Sequence, residues 1–214
     1  MKLRNIFTFA ILSILFASSI NGQGRLGIKV EYGIQNLQTA QNYLISGENK
    51  VDHQISLLNT TPSQSIGLYS AFDFGYIFLQ PEVLYTQYSV NYNIENFNTS
   101  RDVPKNMTVT EKIQQFDIPV YAGVRYKFLK FGAGPVFHIG ENIQSDFSNL
   151  ETMKVSATKI SAGLQAGIGI DLKYVNLDVK YQRDFNNVSD HLEYNGQPTG
   201  LKSSLSGLKI GHST

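Results

Sequence analysis

The sequence predicts an all-β fold, namely an eight-stranded antiparallel up-and-down transmembrane β-barrel with four long extracellular loops and short periplasmic turns. Three observations predict it: apolar and polar residues alternate in long runs, the runs are unusually long, and long and short connections alternate between them. The clearest alternation is SIGLYSAFDFGYIFLQPEVLYTQYSVNY, residues 65–92. Successive side chains of a strand point to opposite faces of a sheet. Runs of about ten residues are long enough for a tilted strand to cross a bilayer.

The bulk composition excludes several other classes of protein. The chain has 214 residues and a formal net charge of +1, which gives no indication of a nucleic-acid-binding surface. Its mean hydropathy is −0.17, and no apolar run after the first twenty residues is long enough for a membrane helix. A barrel remains compatible with this value because its alternating strands average to neutral hydropathy. The absence of cysteine excludes disulfides and thiol chemistry.

Residues 1–23 have the composition of an export signal. Lys2 and Arg4 precede an apolar stretch over residues 6–16, and small residues follow at 17–19. The apolar stretch is too short for a retained membrane anchor. We therefore predict a signal peptide over 1–23 and a single barrel domain over 24–214.

Each of the eight predicted strands alternates apolar with polar or small residues. Two of them form the hairpin in residues 65–92, and the last is the weakest. The other six runs are 26–34, 115–128, 131–140, 158–173, 175–183 and 203–213.

The connections between these runs alternate in length. Long polar segments follow the odd-numbered runs, at about 35–64, 91–112, 141–157 and 185–202. The connections after the even-numbered runs are very short, at Gly75-Tyr76, Lys130 and Lys173-Tyr174. Outer-membrane barrels have long loops outside the cell and short turns in the periplasm, whereas a soluble sandwich has no reason to sort its loops by length.

The seventh run decides which face meets lipid. If Leu177, Val179 and Tyr181 point outward, Asp178 and Lys180 point inward. The opposite arrangement would place a lysine in hydrocarbon at a cost of roughly 2–4 kcal/mol near the midplane. The same parity predicts two belts of outward aromatic residues, one near the short turns (Phe74, Tyr126, Phe128, Phe131) and one toward the long loops (Tyr32, Tyr85, Phe137, Tyr181).

This parity also gathers the ionised residues inside the barrel, where their signs nearly cancel. The interior of an eight-stranded barrel is only wide enough for side chains to fill it, and buried charges have to be paired there. We therefore predict an internal ion-pair network that closes the lumen. Its members are Lys29, Glu31, Asp73, Glu82, Arg125, Asp171, Asp178, Lys180 and Lys209.

Five stretches resemble a known family in their order and spacing. They are LQPEVLYTQ (79–87), DIPVYAGVRYKF (117–128), FGAGPVFHIG (131–140), AGLQAGIGIDLKYVNLDVKYQRDF (162–185) and LKIGH (208–212). Together they are similar to the outer-membrane β-barrel domain family of Bacteroidetes-type bacteria, whose members are often labelled porin-family or PorT-family proteins. The resemblance implies an eight-stranded barrel in the outer membrane of a Gram-negative cell, without an assigned activity. Such barrels usually end in an aromatic residue, whereas this chain ends in His212-Ser213-Thr214.

Few residues suggest catalysis or metal binding. An inward His138 near Ser161 and a carboxylate could form a hydrolase triad, but we favour a polar side chain that is hydrogen-bonded inside the barrel. Asp190-His191-x-Glu193 could ligate a metal, yet one such spacing without a second cluster is weak. We predict no enzyme activity, no cofactor and no metal site.

The leading functional hypothesis is an integral outer-membrane protein with a structural or surface-binding role through its external loops. Its expected partners are outer-membrane lipid, the outer-membrane assembly machinery and a surface ligand or protein at the loops, and no nucleic acid. The alternatives are a narrow porin-like channel for small solutes, a PorT-like accessory component of a secretion or assembly machine, and a lipid-modifying enzyme.

Overall fold

The computed structural model describes residues 24–39, 42–45, 51–96, 106–145, 153–155, 160–172, 175–187, 192–194, 197–198 and 203–214. The signal peptide predicted over 1–23 lies outside these residues. The described residues form thirteen strands: β1 (Gly24–Thr39), β2 (Asn42–Ile45), β3 (Val51–Thr60), β4 (Ser63–Phe74), β5 (Ile77–Asn96), β6 (Asn106–Tyr126), β7 (Leu129–Ser145), β8 (Met153–Val155), β9 (Ser161–Leu172), β10 (Val175–Asn187), β11 (Leu192–Tyr194), β12 (Gln197–Pro198) and β13 (Ser203–Ser213).

Eight of these strands close into an antiparallel barrel, as the sequence predicts. The wall runs β1-β4-β5-β6-β7-β9-β10-β13, and β13 pairs with β1 to complete it. All the pairings are antiparallel and join strands in chain order, which is the up-and-down topology. The chain end takes part in the closure, because the backbones of Thr214 and Ile28 exchange two hydrogen bonds.

The pairing register fixes the tilt and width of the barrel. A row of paired residues that starts at Gly24 passes through every wall strand and returns to β1 at Ile34, ten residues further on. For eight strands this stagger corresponds to a tilt of about 40° and a backbone radius of roughly 8 Å. The interior is therefore a space for side chains rather than for a wide aqueous channel.

One end of the barrel, here called the turn end, carries the short connections. Gly75-Tyr76 joins β4 to β5 as predicted, with Gly75 at a positive φ of 70°, a conformation that glycine adopts without strain. The turn predicted at Lys130 lies instead at Lys127-Phe128, and Lys130 is a fully buried residue of β7. The error arose because Lys130 interrupts an apolar stretch as a turn residue would. Lys173-Tyr174 lies outside the described residues.

The opposite end, here called the loop end, contains more strand than the sequence predicts. Residues predicted as loop extend β1, β5, β6, β7 and β10 beyond the predicted runs. Within the segment 35–64, β3 pairs with β5 and β2 folds back on β3. Polar residues form strands here because the backbone pairing does not need an apolar face outside the membrane. We call β2, β3 and the upper parts of β5 and β6 the loop-end sheet.

The side chains are arranged with apolar residues outside and ionised residues inside, which confirms the predicted facing. Leu177 is 46% exposed, whereas Lys180 on the same strand is 0% exposed. The aromatic residues predicted for the two belts are all exposed: Tyr32, Phe74, Tyr85, Tyr126, Phe128, Phe131, Phe137 and Tyr181. A soluble lipid-carrier barrel has the opposite arrangement and is excluded. Among the described residues, no helix is long and apolar enough to span a membrane.

Three prolines interrupt the hydrogen-bond ladder of adjacent wall strands. Pro81, Pro119 and Pro135 lie in β5, β6 and β7, and proline has no N–H to donate. Two successive residue pairs are missing from the ladder beside each proline, in the β4–β5, β5–β6 and β6–β7 pairings. The ladders β13–β1, β1–β4, β9–β10 and β7–β9 run without such a gap.

The outward facing gives a first testable prediction, the substitution Val179→Lys. Val179 is exposed on β10 with an exposed apolar residue two positions to either side, so a lysine there meets hydrocarbon at a cost of roughly 2–4 kcal/mol. We expect loss of membrane integration, measured as loss of heat-modifiable electrophoretic migration and recovery of the protein outside the membrane fraction.

Two matched variants complete this test. Val179→Leu keeps the apolar character, and Gln114→Lys places the new charge on the outer face beyond the apolar band, so both should integrate normally. Normal integration of Val179→Lys would contradict the assignment of this face to lipid.

Candidate functional site in the barrel lumen

The nine residues predicted for the lumen all lie on the inner face of the wall. Their positions follow from the pleat, because every second residue of a wall strand points inward. The structure places them in two groups at different depths rather than in one network. The group at the turn end contains Asp73, Arg125 and Asp171, and the group in the middle contains Lys29, Glu31, Glu82, Asp178, Lys180 and Lys209.

The turn-end group is a ring of two arginines and two aspartates. The guanidinium of Arg125 lies 2.8 Å from Asp73 and 2.5 Å from Asp171. A second guanidinium, that of Arg25, donates to both Asp171 oxygens at 3.0 and 2.7 Å and reaches Asp73 at 3.4 Å. Because the fork of an arginine matches the two oxygens of a carboxylate, the four side chains bridge β1, β4, β6 and β9 across the opening.

The middle group, which we call the central ion cluster, is built around Glu82. The ammonium groups of Lys29 and Lys180 lie 2.7 and 3.0 Å from the same oxygen of Glu82. Both lysines also contact Glu31, at 3.2 and 3.4 Å, and Lys29 contacts Asp178 at 3.1 Å. Lys209 lies at the edge of the cluster, 4.0 Å from Glu31.

The central ion cluster is almost completely removed from solvent. The side chains of Lys29, Lys180 and Glu82 are 0% exposed, and those of Glu31 and Asp178 are 1–2% exposed. Isolated charges at such sites would each cost several kcal/mol of desolvation. The alternation of opposite charges across the lumen offsets this cost.

An aromatic pair separates the two ionic groups. The rings of Phe78 and Tyr121 lie 5.4 Å apart, and both residues are 0% exposed. The Tyr121 hydroxyl donates to the carbonyl of Gly167 at 2.8 Å, which ties β6 to β9 across the lumen. The Lys180 ammonium lies 4.7 Å above the Tyr121 ring, a distance that permits a cation–π contact. A Cβ at Gly132 would come within about 3 Å of both rings, so the wall needs glycine there.

A third polar group, centred on His138, lies above the central ion cluster toward the loop end. Its Nδ1 lies 2.6 Å from Asp117 and its Nε2 lies 3.2 Å from Asp184. Asp117 also accepts hydrogen bonds from Thr86 and Gln115, both at 2.7 Å. Each ring nitrogen of the imidazole therefore faces a carboxylate on a different strand.

The inner face becomes mostly apolar beyond this third group, although the buried Glu111 of β6 also lies on it. Residues of β5, β6 and β13 fill it with side chains that are at most 6% exposed: Tyr88, Val90, Tyr92, Ile94, Val109, Ile113 and Leu205. A cavity beside Asp184 and Lys209, in the upper part of the lumen, has a volume of about 10 Å³, roughly the minimum for one water molecule.

Six charged or titratable lumen residues are absent from the predicted set. One of them, Glu111, is buried on β6 in a segment predicted as a loop. Arg25, Lys130 and Asp184 each lie one residue outside a predicted run. If the alternation is extended by one residue, all three positions face the lumen. The alternation of residues 115–128 also places Asp117 inside, although the predicted set of lumen charges does not contain it. The sequence places His138 inward near Ser161 and a carboxylate, but the two carboxylates that it contacts lie on other strands and cannot be assigned to it without the pairing register.

The geometry around His138 does not assemble a hydrolase triad. Ser161 is the ladder partner of His138 on β9, but within the described part of the chain neither imidazole nitrogen forms a hydrogen bond with its hydroxyl. Both nitrogens are occupied by carboxylates, so the group has no nucleophile in place.

Metal binding finds no support among the residues that the structure describes. They contain no group of three or more histidine, cysteine, aspartate or glutamate side chains that could hold a metal ion. Asp190 and His191 lie outside the described residues, as does the side chain of Glu193.

Three solved structures of outer-membrane proteins are similar to this chain at low identity. The outer membrane protease OmpT from Escherichia coli is 9% identical, with a TM-score of 0.45, 88% of this chain covered and 94% of that chain. Neisserial surface protein A is 10% identical, with a TM-score of 0.34 and coverages of 90% and 99%. The translocator domain of the autotransporter NalP from Neisseria meningitidis is 11% identical, with a TM-score of 0.39 and coverages of 98% and 95%. These values carry no inference about activity.

The sequence of this chain matches a model of an outer-membrane barrel family. No curated protein matches the sequence, but the model described as "Outer membrane protein beta-barrel domain" matches residues 16–190, most of the chain. The match agrees with the closed eight-stranded wall and its apolar outer surface. The chain therefore belongs to the outer membrane protein β-barrel domain family.

Proposed function

We propose that this protein is a sealed outer-membrane barrel that acts through the surface it presents at its loop end, and that it conducts no solute. The observation that carries this proposal is the central ion cluster, in which the lysines and carboxylates of opposite walls contact one another directly. A channel needs a continuous column of water, and its charged side chains face that water. Here the corresponding charges are dehydrated and paired.

Three successive layers support a closed lumen. The arginine–aspartate ring crosses the turn end, the Phe78–Tyr121 pair and the central ion cluster fill the middle, and the apolar side chains of β5 and β6 fill the upper part. With a backbone radius of roughly 8 Å, inward side chains of ordinary length meet at the axis. A narrow porin-like channel would have to displace all three layers.

The loop end offers an extensive surface for binding. β5 continues from Gln87 to Asn96, roughly 30 Å along the strand, and β3 and β6 pair with it there. The outer face of this part is polar. Asn91 donates to Asn59 at 2.6 Å and accepts from Thr110 at 2.8 Å, which links three strands side by side. Extended, hydrogen-bonded sheet of this kind is a more rigid platform for a ligand or protein partner than an irregular loop.

The central ion cluster gives a prediction for stability, tested by Lys29→Met. Removing one of its two shared lysines leaves Glu31, Glu82 and Asp178 with insufficient positive charge in a dehydrated site. Breaking a buried ion pair in this way costs about 3–5 kcal/mol. We expect the temperature of the heat-induced mobility shift to fall markedly.

The double variant Lys29→Met/Glu82→Gln serves as the internal control. Removing a carboxylate together with the lysine restores part of the balance, so its loss of stability should be smaller than the sum of the two single losses. Lys127→Met, at the exposed turn, should change nothing. Additive effects of Lys29→Met and Glu82→Gln would contradict the proposed network.

The closed lumen gives a prediction for conductance. The purified protein, inserted into planar bilayers, should show no reproducible single-channel level above that of a detergent-only addition. Insertion should be verified in the same preparation by heat-modifiable migration and protection of the barrel from protease. A defined open level in a preparation that passes both checks would overturn the sealed barrel and favour the porin-like alternative.

The proposed binding role gives a prediction for the loop-end sheet. Replacement of residues 42–58 by Gly-Ser-Gly-Ser removes β2 and most of β3 while leaving β4 and the wall intact. We expect the variant to keep its heat-modifiable migration but to lose partners that the intact protein recovers by pull-down from detergent-solubilised outer membrane. Identical recovery by the two proteins would contradict a role for this sheet, and an accessory role in a secretion or assembly machine would be identified by the partners that are lost.

A further inference from the structure

We propose that a groove on the lipid-facing side of the wall binds the phosphorylated headgroup of a glycolipid of the surrounding outer leaflet. The groove lies over β1, β4, β5 and β6, outside the lumen, and its volume is about 300 Å³. This volume is at the lower end of the range for small-ligand sites. The inference goes beyond the proposed function and does not depend on whether the lumen is sealed. Its lining includes Tyr32, Thr61, Gln64, Gln87, Ser89 and Lys112, all on the outer face.

The groove lies where the apolar band of the outer surface ends. On β5 and β6 the last outward residues of that band are Tyr85 and Phe116, whose rings are 5.6 Å apart. One outward position further along each strand, the residues become Gln87 and Gln114, which are ladder partners. This change from aromatic to amide side chains is the transition from hydrocarbon to headgroups expected at a membrane interface.

The side chains that line the groove are suited to a phosphorylated sugar. The amides of Gln64 and Gln87 and the hydroxyls of Tyr32 and Ser89 can donate to or accept from sugar hydroxyls, and Lys112 supplies a cation for phosphate. None of the described residues that line the groove carries a carboxylate. Within the described part of the chain, Lys112 has no ion-pair partner, so its charge is available to a ligand.

The backbone makes the groove a fixed feature of the wall. β3 and β4 are joined by Thr61-Pro62, where the chain passes from the loop-end sheet into the barrel. The Thr61 amide donates to the Ser89 carbonyl at 2.8 Å, and the Ser89 amide donates to the Thr61 hydroxyl at 2.8 Å. This pair of hydrogen bonds holds the junction against β5, and Pro62 stiffens it. The groove is therefore preorganised, which lowers the entropic cost of binding.

The occupant follows from the location of the groove. A site that opens sideways at the level of the headgroups meets membrane lipids at high local concentration, whereas a free sugar phosphate would have to compete with them. The combination of a single cation with several amides and hydroxyls fits a phosphate attached to a sugar better than a compact zwitterion. The matching class is a phosphorylated glycolipid.

Binding to defined lipids tests this proposal. The purified full-length protein in detergent micelles would be titrated with bis-phosphorylated lipid A, with phosphatase-treated lipid A and with inorganic phosphate, and bound lipid would be counted by native mass spectrometry. We expect binding of the bis-phosphorylated lipid, binding about tenfold weaker for the Lys112→Gln variant, and little competition by millimolar inorganic phosphate.

A matched control distinguishes a localised site from general attraction to a charged rim. Arg183 is also exposed and outward, but it lies on β10, on the opposite side of the barrel. Arg183→Gln should bind the lipid as the unmodified protein does. Equal affinity of Lys112→Gln and the unmodified protein, equal losses in the two variants, or equal binding of the phosphatase-treated lipid would each overturn the proposal. Displacement by inorganic phosphate alone would identify a simple anion site in place of a glycolipid site.

Discussion

The hydrogen-bond ladder of this protein has to close on itself, because hydrocarbon offers no partner for the open edge of a strand. Every other feature of the fold depends on this closure. Eight strands with a stagger of ten residues give a narrow cylinder, and a narrow cylinder brings the inward side chains of opposite walls into contact. The composition of the inner face then decides between a filled lumen and an open one. In this chain the inner face supplies lysines and carboxylates in nearly balanced number.

The buried charges also constrain the register of the wall. A slip of one residue on β10 would turn Asp178 and Lys180 into lipid and bring Leu177 and Val179 inside. If the lumen were apolar, a slip in register would not place charged side chains in lipid, because both faces of each strand could then contact hydrocarbon. The central ion cluster therefore contributes to the specificity of the register. The net stability gained from a buried ion pair is small, whereas the cost of removing one of its partners is large. Gly132, beside Phe78 and Tyr121, serves the same interior by admitting both rings where a larger residue would collide.

The architecture could be predicted from the sequence because one physical pattern, the alternation of period two, carries it. The facing followed from Asp178 and Lys180 alone, since a lysine in hydrocarbon is too costly to ignore. The ends of the strands were less predictable. Polar strands such as β3 show no alternation, because both of their faces can meet water, and Lys130 has the appearance of a turn residue although it is buried.

The site was predictable in content but not in arrangement. Parity places Lys29, Glu82 and Lys180 inside, but only the register between strands shows that one glutamate is shared by two lysines. The contact of His138 with Asp117 and Asp184 joins three strands and depends on the same register. Partners across a barrel are separated by many residues in sequence, and no local pattern encodes which inward residues meet.

The proline gaps give the cylinder an uneven stiffness around its circumference. In the half formed by β13, β1, β9 and β10, the ladders β13–β1 and β9–β10 are uninterrupted and the ladder β10–β13 is continuous from Asn176 to Arg183, whereas the seams from β4 to β7 each lack a donor. Elastic deformation under lateral pressure is therefore concentrated in the half that also carries the longest strands. Under such pressure the circular cross-section would flatten along one fixed direction, which is set by the positions of the three prolines.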